Sequence, residues 1–174
     1  MATAKNHINA QLIIMTSPES MEFAELYECH YATVYRAAFH VTGNAADAED
    51  VLQTVFLRIL NREERSNWGQ LSEAYFRRAA INAAIDILRR RISHAEVRLE
   101  ETPSPLSAES PAFLKERLRH AIANLEQNDA ILFLLRYVEG LSNGELSEMF
   151  GQDKNNIAVR LHRIRQTLQS EMKH

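Results

Sequence analysis

The sequence is poor in the residues that build disulfide frameworks, metal sites and membrane spans. It holds one cysteine, five glycines and four prolines, and its longest apolar runs, such as 12–15 and 130–135, span only four and six residues. A single cysteine excludes an intramolecular disulfide and a zinc module built on several cysteines. A helix that crosses a bilayer needs about 20 apolar residues. We therefore expect no membrane insertion.

The motifs of common enzyme sites are also missing. The seven histidines are scattered without an HExxH pair, and the chain has no glycine-rich phosphate loop. We expect no catalytic residue, no metal and no cofactor. The N-terminal segment has one lysine, Lys5, and no sustained apolar core. It does not predict a secretory signal, and a cytoplasmic protein is expected.

The residues that are abundant favour helices. Hydrophobic residues make up 45% of the chain, and no segment alternates apolar and polar residues as a half-buried strand does. The sequence therefore predicts an all-α protein. We expect helices at about 20–41, 45–62, 72–92, 113–124, 128–138, 142–150 and 154–171.

A change in composition divides the chain into two helical domains. Residues 93–112 contain three of the four prolines and four glutamates, which predicts a flexible acidic linker. We therefore expect an N-terminal extension, a first domain, a linker and a second domain. Their expected bounds are 1–20, 21–92, 93–112 and 113–174.

The net charge of −3 conceals an uneven distribution. Residues 19–50 hold seven acidic residues and one basic one, whereas 77–98 hold six arginines and 154–173 five basic residues. A polyanion responds to local charge more than to the sum. Arginine, which supplies most of the basic residues, suits bidentate contacts with phosphates and bases. Both basic segments are candidates for nucleic-acid binding.

The second predicted helix has two distinct faces. One face is apolar and suits the core, and Asp50, Gln53 and Leu57 fall together on the opposite face beside Glu49. This face is either a solvated surface with an incidental leucine or a docking stripe. In a docking stripe the carboxylates would steer a basic partner and Leu57 would anchor it. Spacing alone leaves both interpretations open.

The third predicted helix has a polar side that combines an aromatic ring, an amide and charged groups: Tyr75, Arg78, Asn82, Asp86 and Arg89. The loop before it, at about 63–71, holds the only tryptophan, Trp68. Nucleobases stack on aromatic rings and bond to amides, so this side could bind exposed bases. Ordinary bonding between side chains along a helix surface explains the pattern equally well.

The C-terminal quarter predicts a helix-turn-helix. Ser142 and Glu145 have the spacing of a capping box, Gly151 marks a turn and Asp153 can cap the last helix. The outward face of that helix combines polar and basic side chains: Asn155, Asn156, Val159, His162, Arg163 and Gln166. An ordinary helical hairpin is the alternative, but this face favours DNA binding.

Four strings together resemble a known family. They are TGNAADAEDVLQTVFL (42–57), NAAIDILRR (82–90), LLRYVEGLS (134–142) and RLHRIR (160–165). In this order, and with an acidic linker between the second and third, they resemble the extracytoplasmic-function (ECF) sigma factors of bacterial RNA polymerase. The resemblance covers residues 20–172.

The resemblance implies a protein that binds RNA polymerase core, directs promoter-specific initiation and assists DNA melting. The first domain would dock on the clamp helices of the largest subunit through Asp47, Glu49, Asp50, Gln53 and Leu57. It would recognise and open the −10 element with Trp68, Tyr75, Arg78, Asn82, Asp86, Arg89 and Arg90. The second domain would contact the polymerase flap and read the −35 element with Asn155, Asn156, Val159, Arg160, His162, Arg163 and Arg165.

The resemblance also implies an anti-sigma protein as a partner, which could hold the chain at the membrane, and a linker that threads the polymerase channel. Several positions depart from the family pattern. Ile81 and Ala158 stand where basic residues are usual, Tyr75 stands where tryptophan is usual, and Val159 stands where a small polar residue is common. Because of Ala158 and Val159 we expect weaker or altered −35 reading. The alternative function is a stand-alone helix-turn-helix regulator, which would need no docking stripe on its second helix.

Overall fold

The computed structural model describes residues 18–61, 68, 71–98 and 110–173. Within these ranges the chain forms seven helices and no strand, which confirms the all-α prediction. The helices are α1 (Pro18–Thr42), α2 (Ala45–Leu60), α3 (Glu73–Arg98), α4 (Pro111–Asn124), α5 (Gln127–Tyr137), α6 (Asn143–Phe150) and α7 (Lys154–Glu171). Most of the predicted N-terminal extension, and all of the tryptophan loop except Trp68 and Leu71, lie outside the described residues.

The first three helices pack against one another as a bundle. Their inward residues recur at helical spacing, so each helix offers one continuous apolar stripe. Val34 of α1, Val51 and Ile59 of α2, and Phe76 and Ile85 of α3 are almost completely buried. Burying a side chain of this size contributes about 1.5–3 kcal/mol to stability. This bundle fixes which faces of α2 and α3 remain available for partners.

A sharp turn between α1 and α2 sets the direction of the second helix. Gly43 has a φ of +66°, which a residue with a side chain rarely adopts. Asn44 then caps α2, because its side-chain oxygen accepts hydrogen bonds from the backbone N–H groups of Ala46, at 2.8 Å, and Asp47, at 3.2 Å. Gly43 thus ends α1, and Asn44 starts α2.

The last four helices form a second unit, in which α6 and α7 make the predicted helix-turn-helix. Ser142 and Glu145 complete a capping box, and hydrogen bonds from the Ser142 backbone and hydroxyl hold the pKa of Glu145 below its usual range. Gly151 turns the chain with a φ of +62°, and Asp153 caps α7. The inner stripe of α7 is buried: Ile157, Leu161, Ile164 and Leu168.

The end of α3 differs from the prediction. The helix continues to Arg98, six residues beyond the expected end at Ile92, because residues 93–98 contain neither proline nor glycine to stop it. Ser110 caps α4, and Pro111 stands in its first turn, where a missing N–H group costs nothing. Residues 99–109 lie outside the described residues, and the flexible linker stays a prediction.

The two units pack on one another through α3, which contacts both α4 and α5. The apolar core runs across this junction, with Leu88 on one side and Ile122 and Leu134 on the other. Of the helices that the structure describes, none is long and apolar enough to span a membrane.

Candidate nucleic-acid and protein interfaces

The outward face of α2 presents the side chains expected of a docking stripe. Glu49, Asp50 and Gln53 are exposed, and Leu57 keeps 55% of its surface open to solvent. The opposite face of α2 is buried in the bundle. An apolar anchor beside carboxylates is therefore available to a partner without any change in the fold.

A groove connects this stripe to the basic end of α3. It has a volume of about 420 Å³, and its walls include Asp50, Leu57, Arg90 and Arg91. Asp47 lies at the same groove, where its carboxylate accepts a hydrogen bond from Arg91 at 3.0 Å. Asp47 is thus already paired, whereas the carboxylate of Asp50 faces solvent. A partner of positive charge would meet Asp50 first.

The polar side of α3 does not face open solvent as expected. Arg78, Asn82 and Arg89 are only partly exposed, because the C-terminal unit lies against them. Asn82 accepts a hydrogen bond from Gln127 Nε2 at 2.8 Å, and Arg89 donates to the backbone oxygen of Ala123 at 2.9 Å. These contacts join α3 to residues 34 to 71 positions away in the sequence, so the spacing of residues within α3 could not predict them.

The other residues of this side are placed differently. Tyr75 and Asp86 are half-buried, and Arg90 is exposed with its Nε donating to the backbone oxygen of Asp86 at 3.3 Å. A cleft of about 340 Å³ lies between the units, with Tyr75 and Asn82 on one wall and α5 on the other. Of the residues expected on this surface, Tyr75, Arg78 and Asn82 line the cleft. Asp86, Arg89 and Arg90 do not line it.

Trp68 lies in the core of the N-terminal bundle. Its ring is 2% exposed and meets Phe23 edge-on, with ring centroids 5.5 Å apart. Phe23 in turn contacts Phe56. As placed, the indole offers no face to a nucleobase, and stacking on a base would require the ring to leave the core. Local sequence spacing could not reveal this aromatic cluster, because Phe23 and Phe56 lie on other segments of the chain.

The outward face of α7 is open. Asn155, Asn156, His162, Arg163 and Arg165 are exposed, and Val159 keeps 51% of its surface free. Arg160 differs from these, because its guanidinium pairs with the carboxylates of Asp129, at 2.5 Å, and Glu126, at 3.4 Å. Arg160 is thus held against the N-terminal end of α5, and a phosphate would have to compete with two carboxylates.

Sequence reasoning missed the residues of the second unit that hold the first. Gln127, Arg119 and Glu139 all bond to the N-terminal bundle. They lie among other polar residues on amphipathic helices or in a turn, and nothing in their local spacing distinguishes them from a solvated surface. Only the docking of the two units reveals them.

An acidic face with an exposed leucine on one helical unit, joined to a helix-turn-helix on another, is typical of a helical protein with separate surfaces for a protein partner and for DNA. The family model described as Sigma-70 region 2 matches residues 26–93, and the model described as Sigma-70, region 4 matches residues 115–168. The first match contains the docking stripe and the polar side of α3. The second contains the helix-turn-helix.

Individual relatives agree with these matches. The chain is 30% identical over 155 residues to the ECF RNA polymerase sigma factor SigE of Mycolicibacterium smegmatis, which covers 83% of this chain and 59% of that protein. It is 27% identical over 161 residues to the RNA polymerase sigma-E factor of Streptomyces coelicolor, which covers 88% of each. It is 30% identical over 145 residues to the RNA polymerase sigma factor CarQ of Myxococcus xanthus. That alignment covers 81% of this chain and 83% of CarQ.

The chain belongs to the ECF sigma factors of bacterial RNA polymerase. Members of this family are non-catalytic proteins that direct promoter-specific transcription initiation.

Proposed function

We propose that this chain is a dissociable subunit that binds RNA polymerase core through α2 and directs it to promoters through α3 and α7. The exposure of Leu57 among carboxylates, opposite the buried face of α2, supports this function most. An exposed apolar anchor with flanking charges fits docking onto a basic helical partner. The clamp helices of the polymerase are the partner that the family implies.

Each of the three surfaces has a separate role in transcription initiation. The docking stripe of α2 holds the core, the polar side of α3 binds and opens the −10 element, and α7 reads the −35 element in the major groove. Extruding a base from a duplex costs a few kcal/mol, which stacking and amide hydrogen bonds must offset. The grouping of Tyr75 and Asn82 at one cleft supports this role for α3.

Asn82→Ala is expected to lower transcription from a duplex promoter roughly tenfold, since an amide that bonds an extruded base is lost. A template whose −10 region is already unpaired should recover most of the activity, because the cost of opening has been removed. Single-round transcription on both templates measures the difference. Gln169→Ala is the matched control, because it removes an exposed amide from the last turn of α7, beyond the residues assigned to the −35 element. Equal loss on the two templates would reject a role in melting.

Two arginines of α7 should differ in what they recognise. Arg163 lies on the outward face near His162 and Val159, where a recognition helix contacts base edges, and Arg165 lies to the side, where phosphates run. Arg163→Ala is expected to relax the preference at one −35 position by about 1–3 kcal/mol. Arg165→Ala is expected to weaken binding to all sequences and to lower the salt slope by about one.

Fluorescence anisotropy across a salt series, on a matched −35 duplex and a scrambled one, separates these two effects. If Arg163→Ala loses affinity equally on both duplexes, another residue reads the bases. If neither arginine affects binding, α7 serves the polymerase flap alone.

The family supports two further proposals. An anti-sigma protein controls the chain, which acts in the cytoplasm at the nucleoid or is held at the membrane by that partner. The linker between α3 and α4 threads the polymerase channel, and the second unit contacts the flap. Neither role calls for catalysis by the chain or for a cofactor.

Promoter selection tests the proposed function. A random DNA library is transcribed with core polymerase alone, with the chain alone and with both, and the productive templates are sequenced. We expect products only with both proteins, from templates that share two separate sequence elements. A stand-alone regulator would instead bind library DNA without core and would not change which templates the core transcribes.

A further inference from the structure

The cleft between the two units combines several kinds of binding group in one place. Its volume of about 340 Å³ lies within the range of pockets that hold small organic ligands. Its polar lining comes from both units: Arg58 of α2, Tyr75, Arg78 and Asn82 of α3, and Asn128 of α5. The function proposed above uses the residues of α3 and gives no role to Arg58 or Asn128.

Two guanidinium groups, and no carboxylate, are found among the described residues that line this cleft. Arg58, in the last turn of α2, is exposed, and within the described part of the chain nothing bonds to its guanidinium. Arg78 is held in place from the second unit, because it donates to the backbone oxygen of Met149 at 3.2 Å and lies 4.7 Å from the centre of the Phe150 ring. A guanidinium carries five N–H donors, so further donors remain for a ligand. These groups favour an anion, and phosphate above all.

The acidic residues on either side of Asn128 in the sequence are already engaged. The carboxylate of Asp129 pairs with Arg160 at 2.5 Å. Glu126 caps α5, because its carboxylate accepts hydrogen bonds from the backbone N–H groups of Asn128, at 3.0 Å, and Asp129, at 3.2 Å. A cation and a helix N-terminus thus offset these two charges. The two guanidinium groups therefore dominate the charge that a ligand in the cleft meets.

Two amides on different units supply a donor and an acceptor. Asn82 Oδ1 accepts a hydrogen bond from Gln127 Nε2 at 2.8 Å, which leaves Asn82 Nδ2 as a donor. Asn128 Nδ2 lies 3.4 Å from Glu126 Oε1, which leaves Asn128 Oδ1 as an acceptor. Amide groups of this kind pair with the edges of nucleobases, which present donors beside acceptors.

The rest of the cleft is apolar or aromatic. Its lining includes the ring of Tyr75 and the side chains of Val55, Ala79 and Ile131. Protein pockets hold a nucleobase by stacking it between aromatic and apolar side chains while polar groups bond to its edge. A ligand that joins a planar base to a phosphate would thus find a complementary group for each of its parts.

A base that carries a phosphate occurs both in a free nucleotide and in a DNA strand. Glu126, the N-cap of α5, is exposed next to Asn128. A strand that continued past α5 would bring further phosphates towards this carboxylate, and like charges repel. A single nucleotide ends within the cleft and avoids this repulsion. The charges around the cleft therefore favour the free nucleotide.

We propose that the cleft between α2, α3 and α5 binds a free nucleoside monophosphate, with the phosphate at Arg58 and Arg78 and the base between Tyr75 and the amides of Asn82 and Asn128. Binding leaves the nucleotide chemically unchanged and requires neither polymerase nor DNA. A bound nucleotide and a −10 strand would exclude each other at Arg78 and Asn82. Only this consequence rests on the proposed function.

Equilibrium dialysis of the full chain against each of the four labelled ribonucleoside 5′-monophosphates tests the site. At least one of them is expected to bind at micromolar to millimolar concentration. Its nucleoside without the phosphate, and inorganic phosphate alone, should each bind at least about tenfold more weakly, since each makes only part of the contacts. If none of the four nucleotides binds at millimolar concentration, the proposal is wrong.

A single-stranded oligodeoxynucleotide of the same base distinguishes the two sources of the ligand. It should bind the free chain more weakly than the mononucleotide, because its further phosphates meet Glu126. An oligonucleotide that binds while all four mononucleotides fail would assign the cleft to a DNA strand and overturn the proposal.

Variants of exposed residues locate the binding site without removing core side chains. Arg58→Ala should weaken nucleotide binding roughly tenfold, because a charge-assisted hydrogen bond is lost. Arg58→Lys should recover part of the affinity, since it keeps the charge and loses the planar fork. Asn128→Ala should weaken binding of the nucleotide and leave binding of inorganic phosphate unchanged. Arg36→Ala, which removes an exposed arginine of α1 that does not line the cleft, is the matched control.

The variants give a clear decision. Arg58→Ala or Asn128→Ala chains that bind the nucleotide as well as the parent would overturn the proposal. Equal losses in Arg58→Ala and Arg36→Ala would also overturn it, because they would indicate attraction to the overall charge and not to a site. None of these results depends on core polymerase, and promoter selection tests the proposed function separately.

Discussion

Leu57→Ala and Asp50→Ala are each expected to weaken binding of the chain to core polymerase by about 1–3 kcal/mol, or roughly 5–150-fold. Leu57 is the largest exposed apolar side chain of the stripe, and Asp50 is the exposed carboxylate beside it. Truncating a central anchor removes buried apolar contact, and removing the carboxylate leaves a basic partner unpaired. Fluorescence titration of the labelled chain with core polymerase measures both constants.

The stability of the chain should change little in these two variants, because neither side chain packs in the core. Tyr31→Ala removes an exposed ring from α1 of the same bundle and serves as the control. It should bind core polymerase as the parent does. If Leu57→Ala melts well below the parent while binding core normally, the stripe is structural and the docking surface lies elsewhere.

Trp68→Ala is expected to lower the free energy of unfolding by about 3–5 kcal/mol, the usual cost of removing a large aromatic ring from a core. The ring is almost completely buried against Phe23, which also contacts Phe56. Trp68→Phe keeps an aromatic ring at this position and should cost less. Urea unfolding followed by circular dichroism gives both values.

The same pair of variants separates packing from base stacking. A Trp68→Ala chain that unfolds like the parent but fails to open duplex promoters would show that the ring acts on DNA, as the tryptophan-bearing loop first indicated. A chain that loses stability and recovers its transcription in Trp68→Phe agrees with the packing role.

Local periodicity in the sequence was sufficient to predict the helices and the outward faces of α2 and α7. Leu57 and Val159 interrupt polar faces at helical spacing, and the structure leaves both exposed. The exposure of each residue follows from its position on the helix, opposite the apolar stripe that faces the core. The caps at Asn44, Ser142 and Asp153 were equally predictable, since a cap depends on residues two or three positions away.

Features that depend on distant residues could not be predicted. The polar side of α3 looked open because Gln127 and Met149, which contact Asn82 and Arg78, lie 45 and 71 positions further along the chain. The burial of Trp68 depends on Phe23 in the same way. The two units dock through contacts that the sequence of a single helix does not predict. These contacts involve the residues of α3 that have the most specific expected roles in DNA binding.

Permanganate reactivity of thymines in a selected promoter shows directly whether the chain and core polymerase together open the −10 element, because unpaired thymines are oxidised and paired ones are protected. We expect a reactive stretch at the −10 element when the chain and core polymerase are both present. We expect none with the chain alone or with core alone, and a weaker signal with Leu57→Ala at limiting protein. A duplex that stays unreactive with both proteins, or opens with core alone, would contradict a role of the chain in promoter opening.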